Sequence, residues 1–362
     1  TKELLDRSVN YHLISDAPLG VFLSGGLDSS VIAALAAKSR KNPITTLSII
    51  FEEKEFSEEY YSDLVAKRIG SDHRKIKITK QDFFDSFSEI FEAMDQPTID
   101  GVNTFFIAKA AKQAGLKTVL SGLGSDEIFL GYPHFRRAEF LKKIQSLPKF
   151  LKSPLNLFSL FGDRYSKLSY FTNSDALSFY LAIRGLFVPQ ETAKILDINL
   201  SEVKNFLNEF SGIETYKLTN LQTLSPANLL SYLEFKFYLQ NQLLKDTDFM
   251  SMYHSIEVRV PFLDHKLIEY VSSSPPNLKL NMGKSDFPNI DDNFRRSDFQ
   301  KLNKPLLVAA VRDLLPQEIF TRPKMGFTFP FQKWLSSNVK GQMSNVKTHW
   351  SRHWAKTVLN KF

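Results

Sequence analysis

The stretch FLSGGLDSSV, Phe22 to Val31, constrains this 362-residue chain more than any other. An apolar run ends at Leu23, two glycines follow, and VIAALAAK continues as a helix because alanine and leucine dominate it. A loop that enters a helix presents backbone N–H groups and the positive end of the helix dipole, so it favours an anion. Gly25 and Gly26 allow positive φ and close approach, and Ser24, Ser29 and Ser30 add hydroxyl donors, a combination that suits phosphate. The Gly-Lys-Ser/Thr ending of a Walker loop is missing, and so is the G-x-G-x-x-G dinucleotide pattern. An aspartate stands here instead. Asp28 facing phosphates repels them unless Mg²⁺ lies between, which makes it a candidate metal ligand. The competing reading is a glycine turn with an aspartate helix cap.

Strand signals at Gly20 to Leu23, Ile44 to Phe51, His73 to Thr79 and Lys117 to Ser121 alternate with helical ones. After the second strand, Glu58 and Glu59 open a helix whose Tyr61, Leu64, Val65 and Ile69 share one face before Gly70 stops it. QDFFDSFSEIFEAM and FFIAKAAKQAG read as two further helices. This alternation predicts an α/β fold, a parallel sheet with helices on both faces and ligands at the carboxyl ends of its strands, followed by a mainly helical region after Gly131. Within that region Leu141 to Phe161 mixes apolar residues with lysines. It reads as a membrane-surface or partner helix, or, since Pro148 and Pro154 interrupt it, as a packed helical turn. The polar segment Ser285 to Ser297 is a loop candidate.

SGLGSDEIFLGY, Ser121 to Tyr132, repeats the logic of the first loop after another strand. Gly122 and Gly124 stand beside Ser121, and Asp126 with Glu127 offers a second carboxylate group. Two such loops at two strand ends can hold one nucleotide and one metal cluster between them. A turn plus a helix start is the alternative.

Composition narrows the class. At 43% hydrophobic the chain holds enough core for about two domains. No cysteine is present, which excludes disulfides, thiolate metal sites and thiol catalysis by this chain. No run approaches the roughly 18 apolar residues that span a bilayer, so a soluble cytoplasmic protein without membrane partners is expected. The start at Thr1 is expected of a cleaved chain or of a domain cut from something longer. Of the net charge of +7, Lys301 to Phe362 supplies eleven Lys and Arg against Asp313 and Glu318, so the first 300 residues carry minus two. That tail reads either as a grip for RNA or an acidic partner, or as a solvated cationic face.

The motif SGGLDSS at Ser24 to Ser30 resembles that of the PP-loop ATP pyrophosphatases, of the adenine nucleotide alpha hydrolase-like fold. With SGLGSDE at Ser121 to Glu127, DTDFMSMYHSIEVRVPFLD at Asp246 to Asp264 and RPKMGFTFPFQKWL at Arg322 to Leu335, the chain resembles the synthetase domain of the glutamine-dependent asparagine synthetase family. The resemblance implies ATP and Mg²⁺ as cofactors and a carboxylate acceptor activated as an acyl adenylate. Pyrophosphate leaves, and ammonia then forms the amide. It assigns Asp28 and Asp126 to the metal, Lys324 to the leaving pyrophosphate, and Leu23, Ser24, Gly25, Gly26, Leu27, Asp28, Ser29, Ser30, Phe51, Ser121 and Gly122 to the nucleotide. For Phe51 a core phenylalanine is the competing reading, and for Lys324 a surface cation. Leu123, Glu127, Glu257 and Arg259 are the acceptor-side candidates, with Asp246 and Asp248 weaker; Glu257 and Arg259 read equally as a structural salt bridge. His134 and His254 are set aside as packing or surface residues.

The implied organisation is one synthetase domain over 1–362. Residues 1–132 form the nucleotide-binding core, 133–300 a mainly helical region carrying the 246–264 acceptor block, and 301–362 a basic segment carrying the lysine loop. Two departures matter. In the asparagine-making enzymes the position of Leu123 usually holds a glutamate that helps the aspartyl chemistry; its replacement by leucine opens the acceptor from aspartate to another carboxylate, such as a sugar acid or a small metabolite. The amino-terminal glutaminase domain is absent, so ammonia is expected from a glutaminase domain or subunit outside this chain. A homodimer is compatible with the family, and no nucleic acid is expected. A PP-loop tRNA-modifying enzyme and a catalytically inactive nucleotide sensor are the alternatives; the first predicts an RNA-binding module, the second the loss of Asp28, Asp126 or Lys324.

Overall fold

Five parallel strands position the candidate site: β1 (Leu19–Phe22), β2 (Thr45–Phe51), β3 (Asp72–Ile78), β4 (Thr118–Leu120) and β5 (Glu257–Arg259). The computed structural model describes residues 1–152, 155, 166–212, 224–280, 302–326, 328–336 and 350–361. Across the sheet the order is β3-β2-β1-β4-β5. Gly20 pairs with Thr45, Leu19 with Thr118, Thr46 with His73 and Thr118 with Glu257, every pair parallel. From β1 the chain builds outward to β3 and then returns to place β4 on the other side of β1. The crevice outside the carboxyl ends of β1 and β4 is therefore a topological switch point, where open α/β sheets bind ligands.

Apolar residues buried on one face of β1 tie it to the core. Leu19, Val21 and Leu23 are buried, and the helix Leu27–Lys38 against them buries every residue from Ser29 to Ala36. A helix apolar all round belongs inside a core. Each fully buried Val, Leu or Ile there stabilises the fold by about 1.5–3 kcal/mol. The helix Glu59–Ile69 packs Val65 into the same core and ends at Gly70, whose φ of 65° supplies the left-handed cap. At the edge, β3 is guarded by charge: Lys75 pairs with Glu59 at 2.7 Å and Lys77 with Glu52 at 2.7 Å.

By its contacts the chain divides into two compact units, one of Thr1–Gly131, Phe235–Val346 and Thr357–Phe362, the other of Tyr132–Glu234 and Lys347–Lys356. The first contains the sheet. The second is helical among its described residues, with helices including Ala138–Ser146, Ala176–Arg184 and Pro226–Leu233. Its fully buried Glu234 takes two bonds from Arg184 Nε, at 2.8 and 2.9 Å, and pairs with His134 at 2.9 Å.

Local differences from the sequence reading have local causes. Residues 81–94 form two helices, Lys80–Asp85 and Phe87–Glu92, because Ser86 leaves helical geometry and its hydroxyl accepts from Lys109 at 3.2 Å. The helix over the lysine-rich stretch stops at Ser146, ahead of Pro148, and resumes at Lys149–Lys152. Most of 153–161, and the loop expected at 285–297, lie outside the described residues. Within the block 246–264, Glu257–Arg259 returns to the sheet as β5, so the stretch 133–300 is shared between both units. Among the described residues no helix is long and apolar enough to cross a membrane.

Candidate active site

The first loop turns at Gly25, whose φ is 81°; a Cβ there would lie 2.6 Å from the Ser62 amide nitrogen. Only glycine fits. Ser24 Oγ accepts from the Gly26 N–H at 3.2 Å and lies 3.1 Å from Ser29 Oγ, and Ser29 Oγ donates to the Gly26 carbonyl at 3.2 Å. These bonds fix the entry to the helix Leu27–Lys38, whose first N–H groups have no partner within the helix. The buried Ser30 hydroxyl finds no partner among the described residues.

The second loop, leaving β4, closes against the first. A Cβ on Gly122 would stand 2.8 Å from the Ser29 nitrogen and 2.9 Å from the Asp28 carbonyl carbon, so two backbones meet where a side chain is missing. Gly124, at φ 88°, leaves room for the Leu263 side chain. Ser125 Oγ donates to Asp28 Oδ1 at 2.7 Å, the first direct bond between the loops.

Sequence reasoning missed the residue that joins the two carboxylates. Lys304 Nζ lies 2.5 Å from Asp28 Oδ1, 2.7 Å from Asp126 Oδ1 and 3.1 Å from Ser125 Oγ, with its side chain 1% exposed. Burial alone would lower its pKa, but Asp126 and Asp28 outweigh that and raise it, so it is a fixed cation. Its backbone φ of 55° and that of Leu130, at 57°, are left-handed for non-glycine residues. Such strain costs about 1–3 kcal/mol each and collects at functional sites. Gly131 carries no Cβ where Asp126 Oδ1 and Lys304 Cε come in.

Lys324 reaches Asp126 Oδ1 at 2.5 Å and the Gly131 carbonyl at 3.3 Å while remaining 31% exposed. Burial would raise the Asp126 pKa, yet Lys304 and Lys324 together hold it down at about 2. Arg322, two residues earlier, donates to the Gly25 carbonyl at 2.8 Å, pairs with buried Glu58 and stacks 4.0 Å over the Tyr61 ring. The first loop is thereby locked from behind.

Among the described residues no group of three or more His, Cys, Asp or Glu could hold a metal. Asp28 and Asp126 still suit Mg²⁺, which takes one or two carboxylates and completes its shell with water and substrate phosphates. Among the described residues their bonds to lysine and serine fall on Oδ1, so that Oδ2 of each suits a metal ligand.

The remaining candidates scatter. Ser121 is buried beside Gly122 at the end of β4, and its N–H donates to the Arg259 carbonyl at 2.8 Å. Leu23 turns a fully buried side chain into the core and offers only backbone to the loop. Phe51 is also buried, edge-on to Phe329 with centroids 4.9 Å apart, beside a cavity of about 500 Å³ that it lines with Glu52, Ser57 and Lys77. Leu123 sits half-buried between the two glycines, and Glu127 is buried at 1% exposure. Glu257 and Arg259 bond each other at 2.8 Å, and Arg259 also donates to the carbonyls of His12 and Ile14. Arg259 thus caps the helix Lys2–His12 with Glu257 paired to it, and meets the second loop through its backbone carbonyl. Asp246 bonds the Thr98 hydroxyl, and burial pushes its carboxyl up to about 7; Asp248 is exposed. His254 packs edge-on to Phe105, and His134 belongs to the helical unit.

A family model described as asparagine synthase matches residues 1–353. The chain belongs to the asparagine synthase family. Glutamine-hydrolyzing asparagine synthetase 1 of Bacillus subtilis (strain 168) is 28% identical over 356 residues, covering 95% of this chain and 52% of that protein. A putative glutamine-hydrolyzing asparagine synthetase of Mycobacterium bovis is 28% identical, with 92% and 48% covered. Amidase chry2 of Gibberella zeae is 24% identical, with 96% and 54% covered. This asparagine synthase family chain thus spans about half the length of the curated relatives it matches.

Proposed function

We propose that this chain is the synthetase part of an ATP-dependent amide ligase that activates a carboxylic acid as its adenylate and passes it to ammonia. A carboxylate oxygen of the acceptor attacks the α-phosphorus of ATP, the bond to the bridging oxygen breaks, and pyrophosphate leaves with the electron pair. Ammonia then attacks the acyl carbon, AMP departs, and the nitrogen gives up a proton. The amides and hydroxyls of Ser24 to Ser30 receive phosphate oxygens at the helix N-terminus. Asp28 and Asp126 would hold Mg²⁺, which when bound withdraws charge from phosphate oxygens. Lys324, exposed enough to leave Asp126, meets the charge that grows on the leaving pyrophosphate. Lys304 keeps both carboxylates in place from behind.

The single observation behind this reading is that two Gly/Ser/Asp loops at the carboxyl ends of adjacent strands are tied together by one buried lysine. Leu123 favours a second form of it, in which the acceptor is an acid other than aspartate, since a leucine can neither accept a proton nor orient ammonia. Ammonia would come from a glutaminase portion or partner, and the setting would be the cytoplasm. The test is acid-dependent exchange of labelled pyrophosphate into ATP across a panel of amino, sugar and simple dicarboxylic acids. Exchange with at least one acid is expected; nucleotide binding without exchange for any acid would favour a sensor.

A further inference from the structure

The two lysines of the site differ in kind. Lys324 touches Asp126 from the solvent side, whereas Lys304 is sealed, and its three ammonium protons have three acceptors in Asp28 Oδ1, Asp126 Oδ1 and Ser125 Oγ. With both in place, two carboxylates face two ammonium groups, and the nucleotide-free site is balanced in charge. A divalent cation arriving alone finds two carboxylate oxygens, no third His, Cys, Asp or Glu among the described residues, and a fixed positive charge already bound to both acids. Repulsion between like charges a few ångströms apart is strong where water is excluded. A triphosphate changes both terms, because it adds oxygen ligands and brings its own negative charge.

We infer that Lys304 is a built-in counter-ion that stops Asp28 and Asp126 from binding a divalent cation on their own, so that metal enters this site only together with nucleotide phosphates. Three features hold it there: the left-handed backbone at Lys304, Pro305 directly after it, and Gly131, which has no Cβ in the space that Lys304 and Asp126 share. A lysine needed only to fill volume would not require them. The inference rests on the reading of this site as a nucleotide site.

Mn²⁺ is the probe, titrated into the full chain and followed by electron paramagnetic resonance with and without a non-hydrolysable α,β-methylene analogue of ATP. Wild-type protein is expected to retain no Mn²⁺ without the analogue and one ion with it. In Lys304→Gln, Mn²⁺ is expected to bind without nucleotide at least about 10- to 100-fold tighter than in wild type, the scale on which partners of ligating groups tune metal affinity. Adding Asp28→Asn should abolish that gained site. Nucleotide-free wild type that binds Mn²⁺ as tightly as the complex would overturn the inference without any variant having to fold. A folded Lys304→Gln with no gain would overturn it too. These titrations need neither acceptor nor turnover, so failure of every acid to support exchange would remove the ligase reading and leave the Mn²⁺ result standing.

Discussion

Lys304 and Asp28 stand 276 positions apart in the chain and meet at 2.5 Å in the interior. With Asp126 they form an ion cluster in which the lysine is buried and both carboxylates keep an edge exposed. Removing one partner of a fully buried pair costs about 3–5 kcal/mol; here Asp28 and Asp126 keep side chains 26% and 20% exposed and Asp126 keeps Lys324, so the cost is smaller, about 1.5–3 kcal/mol. Lys304→Met is therefore expected to lower the free energy of urea unfolding at pH 7 by that amount. A loss below about 1 kcal/mol, the range of exposed pairs, would contradict the geometry.

Lys324→Ala should separate catalysis from binding. Asp126 keeps Lys304 in that variant, so the loops stay anchored. The rate of pyrophosphate release is expected to fall about 10²–10³-fold, the scale of one lost transition-state donor, while ATP affinity changes little. Steady-state kinetics checks this, and an effect confined to affinity would contradict the role.

Gly122→Ala and Gly70→Ala form a matched pair. The added methyl at Gly122 would press on Ser29 and Asp28 and push the loops apart, whereas the one at Gly70 meets nothing within 4 Å. Gly122→Ala is expected to destabilise by about 1–3 kcal/mol through overpacking and to weaken nucleotide binding. Gly70→Ala, at φ 65°, should cost only about 1–2 kcal/mol of left-handed strain and leave nucleotide affinity unchanged, as calorimetry would show.

What could be read from the sequence was what local pattern controls. The β1 loop, the helix after it and the stop at Gly70 follow from neighbouring residues, and β1 through β4 fell within one residue of expectation at their starts. β5 is three residues long and pairs only through a register set by distant β4, so the extended segment at Glu257 gave no sign of joining the sheet. Lys304 had no motif around it. The one available signal was a lysine next to proline inside the apolar run LNKPLLVAAV, a place where an unpaired charge would be costly. The spacing of Glu257 and Arg259 reads equally as an acceptor pocket or a salt bridge; the salt bridge is present, and the bonds of the guanidinium to the carbonyls of His12 and Ile14 had no local signal.

His254 should give the fold an acid-side slope. Burial, then Lys109 and Lys112, push its pKa from 6.5 down to about 4, so between those values the unfolded chain takes a proton that the folded one refuses. Stability attributable to His254 is thus fully present above pH 6.5 and is lost as pH falls toward 4. Wild type is expected to lose about 2–3 kcal/mol more than His254→Leu between pH 7.5 and 4.5, at 1.36 kcal/mol per pKa unit. Urea unfolding at the two pH values measures it, and parallel losses in both proteins would contradict the assignment.

The central claim is that the two loops tied by Lys304 grip a triphosphate so that it breaks next to the nucleoside. Its most direct test is chromatography of the nucleotide products from Mg·ATP, ammonia and an accepted acid. AMP and pyrophosphate are expected, each equal in amount to the amide formed. ADP and inorganic phosphate formed in step with the amide would contradict it.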